Sequence, residues 1–113
     1  MTTEQPIKIT RGEDVTLSGT VTDENGSVVD ISGDSLLFTV KNSLTDSDDD
    51  KVFQVAGTNL AADGTFDVVI ADTNTNSLDL RSRYYDLELV TSGGSRFTTC
   101  RGKFIMLGEV TKA

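Results

Sequence analysis

The chain has 113 residues, with 10 Lys and Arg against 18 Asp and Glu, a formal charge of −8 and no histidine. That length suits one domain, residues 1–113, with a modest core, and the acidic balance excludes partners recognised through phosphate, both duplex nucleic acid and an anionic membrane surface. Without histidine the Ser–His and Cys–His nucleophile pairs and the usual zinc sites are excluded as well, so no catalytic residue, cofactor or small-molecule substrate is expected and the chain reads as a non-enzyme.

The start, Met1 to Pro6, is polar and carries no secretory signal, which predicts synthesis in the cytoplasm. A weak strand is predicted at Ile7 to Thr10. Val15, Leu17, Gly19 and Val21 then alternate with Thr16, Ser18, Thr20 and Thr22, the period of a strand with one face inward. Asn25-Gly26 marks a tight turn, and Val28 to Ile31 is a second weak strand. Leu36, Phe38 and Val40 share the inward face of the next one.

Asp46, Asp48 and Asp50 follow the one-three-five spacing of a calcium loop, but Lys51 stands at the sixth place and Gly57 at the twelfth. A solvated loop is expected there, with a weakly held cation as the alternative. Further on, a weak strand is predicted at Val52 to Val55, and Phe66, Val68 and Ile70 line one face of Thr65 to Ile70. Ala71 to Leu80 has a helical cast: Asp72 is expected to cap a single turn ending near Leu78 and crossing between sheets. Tyr85, Leu87 and Leu89 face inward, opposed by Tyr84, Asp86 and Glu88, and Gly93-Gly94 turns the chain into a last strand from Arg96 to Leu107.

Gly102 interrupts that last strand, and a bulge is expected there, with Thr98 and Cys100 inside before it and Phe104 and Met106 inside after it. Cys100 is the chain's one cysteine, so an intrachain disulfide is excluded. It reads as a small buried hydrophobe, with an interchain bridge as the alternative. Gly93-Gly94-Ser95 is a turn with no phosphate motif around it. Seven or eight short strands with one short helical turn are the signature of an all-β sandwich or barrel.

Tyr and Arg are favoured anchors at protein interfaces. Arg81, Arg83 and Tyr84 are therefore read as a surface contact patch, and Phe97 as a second, outward apolar anchor; the alternative is that they are scattered surface residues.

The order of these motifs resembles a known family. Ile9-Thr10-Arg11-Gly12-Glu13-Asp14-Val15-Thr16-Leu17, Val21 through Gly26, Val29-Asp30-Ile31-Ser32-Gly33 and Leu36 through Lys41 are similar to the opening of small immunoglobulin-like modules of tailed bacteriophages. Ser43 through Asp46, Ala71-Asp72-Thr73, Arg83 through Leu87 and Arg101-Gly102-Lys103-Phe104 continue the likeness. The family it resembles is the N-terminal domain of phage baseplate upper proteins, although Arg81 and Ser82 stand where such modules usually carry a glycine.

The resemblance implies an immunoglobulin-like antiparallel β-sandwich. It also implies a virion structural protein of the tail, baseplate or neck, which binds other virion proteins as a homo-oligomer or ring. The rivals are a capsid decoration protein and a host-surface carbohydrate-binding module, for which two Tyr and no Trp equip the chain poorly.

Overall fold

Leu36, Phe38 and Val40 form the buried spine of β4 (Ser35–Lys41), because a strand flanked on both sides can shield every second residue completely. The computed structural model describes residues 3–43, 45 and 51–108. Within them the order is β1 (Thr3–Glu4), β2 (Ile7–Thr10), β3 (Val15–Thr20), β4, β5 (Phe53–Ala56), β6 (Thr65–Ile70), α1 (Asp72–Thr75), β7 (Ser82–Val90) and β8 (Arg96–Leu107). One sheet runs β1-β8-β7-β4-β5, with β2 also on the outer edge of β8, and the other holds β3 and β6. The chain is thus an all-β sandwich. Among the described residues the departure from antiparallel order is at the N-terminus, where β1 and β2 run parallel to β8.

An aromatic cluster fills the space between the sheets. Phe38 lies with its ring centre 5.4 Å from Tyr85, 6.2 Å from Phe104 and 6.3 Å from Phe53, and Phe53 meets Phe104 edge-on at 5.9 Å. Each such pair adds about 0.5–1.5 kcal/mol beyond the area it buries. Phe66, Val68 and Ile70 of β6 close over them from the smaller sheet.

The sheets are stitched together on one side by the chain itself. Gly57 N–H still donates to Leu36 O in the large sheet (2.7 Å), while Thr58 and Asp67 already exchange main-chain bonds of 2.8 and 2.9 Å in the small one. A single residue step therefore carries the backbone across and covers the outer edge of β6.

Several expectations need correction. Val28 to Ile31 is no strand: it makes one bridge, Thr22 to Val28, and then dips to bury Ile31. The helical turn is shorter than expected and ends at Thr75, with Asp72 inside it and Ala71 at the cap position. The capping oxygens come from Asn74, which accepts from Ala71 N–H (2.9 Å), and from distant Asp14, which accepts from Asp72 N–H (2.8 Å). As expected, α1 leads from the small sheet to the large one.

The irregularity in β8 falls at Thr99, not at Gly102: Leu87 pairs with Cys100 and Glu88 with Thr98, so Thr99 is the extra residue. Gly102 has a different role. A Cβ there would lie 2.3 Å from Gln5 O, so the glycine makes room for the N-terminal segment as it crosses from β1 to β2.

Candidate protein-contact site

The four residues singled out as contacts do not form one patch. Arg81 is exposed and holds Asp79 in a two-bond pair of 3.0 and 2.8 Å, an arrangement that adds little to stability at a surface. Arg83 is only 3% exposed, which corrects its reading as a surface residue. It shares the inward phase of Tyr85, Leu87 and Leu89, so the strand period itself points it into the molecule. Its guanidinium is satisfied by Asn42 Oδ1 (3.0 Å), Asp79 O (3.1 Å) and the Asp79 carboxylate, and it ties β7 to the loops after β4 and α1.

Tyr84 lies half-buried on the outer face of the large sheet, opposite Lys41 and Lys103. Phe97 sits five β7 positions further along, opposite Leu89, which at ~3.4 Å per residue is about 17 Å away.

Phe97 is exposed, at 55%, as expected, but it belongs to the core face. In-register partners across a ladder point to the same side, and its partner Leu89 is buried. The extra residue at Thr99 turns Phe97 inward and Thr98 outward, beside Glu88, where Thr98 had been expected inside.

The other exposed part of the interior lies beside β3. Main-chain parity fixes which of its groups are free. Val21 N–H donates to Gly64 O (2.8 Å), and Asp67, opposite Ser18, directs its main chain away from β3 toward Thr58. The odd residues of β3 therefore bond to β6, and Thr16, Ser18 and Thr20 direct N–H and C=O to the opposite side. There, among the described residues, no strand pairs with them.

Between this edge and the edge formed by β8 and the N-terminal segment opens a cleft of about 420 Å³. Its walls include Leu17, Phe66, Leu87, Cys100 and Thr99, and no lining residue is charged, in a chain one-quarter charged. Gly19 takes part for a steric reason: a Cβ there would come within 2.7 Å of the Phe66 ring, which leans over the strand.

Cys100 is half-buried at the cleft wall and 3.1 Å from Tyr85 Oη, which also donates to Gln5 O. Burial, reinforced by the Cys100 contact, pushes the Tyr85 hydroxyl well above its usual 10.0. A phenol held neutral in this way acts as a hydrogen-bonding strut between β7 and the N-terminal segment.

The carboxylates with shifted acidity serve turns and edges. Asp30 and Asp63 are held below the usual 3.8 by the hydroxyls of Ser32 and Thr65, two residues on in each case. Asp67 is lowered by Ser18 Oγ (2.6 Å) and then by Asn59 (2.8 Å), and Asp79 by Arg81. Among the described residues no three acidic or sulfur side chains gather at metal-binding distance. The aspartates Asp46 to Asp50, read above as a candidate cation loop, lie outside the described residues.

The sequence reading missed the cleft. The available signal was the row of small neutral side chains at Thr16, Ser18 and Thr20, but nothing in the sequence places β3 at an edge. No protein-family model matches this sequence, and no curated protein is similar enough to it to count as a relative.

Proposed function

We propose that the chain is a structural component of a tailed-bacteriophage particle, in the tail, baseplate or neck, and acts through protein–protein contacts in a symmetric assembly. One observation carries the contact role: among the described residues the sandwich is open along β3, where unpaired main-chain groups border an uncharged cleft. An edge of this kind is a ready surface for another chain. The phage setting is supported by the likeness of the turns and strands to immunoglobulin-like baseplate modules. Proteins of that kind work by repetition around a ring or shell and need no reaction centre.

The test is gold-labelled antibody against the chain, applied to purified phage particles and followed by electron microscopy. Label at the tail or its tip supports the proposal, and label spread over the head reassigns the chain to capsid decoration. Absence of the protein from particles, checked by mass spectrometry of disrupted virions, rejects the virion reading.

A further inference from the structure

We infer that the open side of the sandwich takes up an extended segment of a neighbouring protein as an added strand beside β3, with uncharged apolar side chains entering the cleft. This deepens the contact role proposed above and rests on it.

The first ground is the main chain. The outward N–H and C=O groups of Thr16, Ser18 and Thr20 recur every second residue, about 7 Å apart along the strand. Another extended backbone matches that spacing of alternating donors and acceptors.

The second ground is the composition of the edge. Natural sheets protect an exposed edge with lysine, proline or a bulge. β3 is Val-Thr-Leu-Ser-Gly-Thr, pairs in unbroken register with β6, and has none of these devices. Its own inward residues stay half-exposed for want of a neighbour on the open side.

The third ground is the cleft. A strand added beside β3 sets every second side chain over the gap between the two sheets. Leu17, Phe66 and Leu87 wait there with no charged group among the lining residues. Apolar residues at those positions gain burial, whereas an unpaired charge would be stranded at high cost. The intervening residues lie beside Thr16, Ser18 and Thr20 on the solvent face and are free to be polar.

Two other occupants fit less well. A small apolar molecule would fill the cleft and leave the main-chain row unpaired. A second copy pairing through its own β3 brings inward residues, Val15 and Leu17, that already pack against its own core.

The test uses the whole chain and an end-capped synthetic heptapeptide of alternating threonine and valine, with a version carrying aspartate for valine as control. Amide hydrogen exchange is followed by NMR. With the valine peptide, exchange at Thr16, Ser18 and Thr20 slows about tenfold or more, while the amides of Leu17 and Gly19, already bonded to β6, change little. The aspartate peptide has no effect.

Thr20→Pro removes one outward donor without breaking the ladder to β6 and abolishes the response. Ser18→Lys gives the edge a protecting charge and weakens it about tenfold. Protection by both peptides, or by neither at millimolar concentration, overturns the inference. So does protection that grows with protein concentration without peptide, together with a dimer mass by light scattering, which would assign the edge to a second copy. These results are independent of where gold label falls on particles, so failure of the strand inference and failure of the virion reading are separable.

Discussion

The two long sides of the sandwich differ more than their sequences do. On the β5 side the backbone steps between sheets at Gly57 and Thr58 and covers the edge of β6. On the β3 side the chain crosses from β2 at residues 11–14, but no strand pairs with the outer edge of β3 among the described residues, and a cleft opens there. Leu36-Phe38-Val40 in β4 and Val15-Leu17-Gly19 in β3 carry the same period-two signal, yet the first set is buried and the second half-exposed. Alternation decides which side of a strand is apolar. The number of neighbours decides how far that side is shielded.

The largest expected effect tests the closed region. Phe38→Ala removes a ring that is 1% exposed and touches three aromatics, and is expected to cost about 3–5 kcal/mol in urea unfolding. That is a large part of the stability of an ordinary domain, about 5–15 kcal/mol. A cost no greater than that of a surface substitution would mean the centre is loosely packed.

The direct comparison of the two sides is Leu36→Ala against Leu17→Ala. The first is expected to cost about 2–5 kcal/mol. The second should cost less than half as much, because the side chain is already partly wet and leaves no sealed cavity. Equal costs would show that the cleft is closed in solution.

The two arginines on Asp79 give a finer contrast. Arg83→Ala is expected to cost about 2–3 kcal/mol, because buried bonds to Asn42 and Asp79 are lost. Arg81→Ala, at the surface, should change stability by less than about 0.5 kcal/mol.

The smallest effects lie in pH dependence. Asp30, Asp63, Asp67 and Asp79 have folded pKa values below the usual 3.8. Their contribution is therefore complete above about pH 4 and is lost as pH falls below it. Asp30, Asp63 and Asp79 are solvent-exposed and Asp67 is only half-buried, so the acid decline is shallow.

Tyr85 behaves oppositely. Its folded acidity is weakened, so the unfolded chain ionises first and stability falls as pH rises past the usual 10.0. Tyr85→Phe should remove that alkaline decline in a denaturant series. If the decline persists, the hydroxyl is not the buried strut between β7 and Gln5.

Much of the fold was legible from residue order. Both predicted turns form, with Gly26 and Gly94 at φ of 81° and 90°, and Phe66, Val68, Tyr85, Leu87, Phe104 and Met106 all face the core. The errors cluster where a residue's setting depends on chain far away in sequence. Gly102 marked an irregularity, but its cause is the passage of Gln5 nearly a hundred positions earlier, and the bulge itself falls at Thr99. The chemistry of Arg83 suggests a surface anchor, although its place in the alternation with Tyr85 points it inward.

The sequence by itself determined the β class, the turns and the apolar face of each strand, because these follow from backbone sterics and the two-residue period. The tertiary structure alone decided which strand is an edge, where β8 changes phase and which inward residues stay exposed. Those properties depend on which strands become neighbours, and pairing between distant segments leaves no local mark on β3 that a central strand would lack.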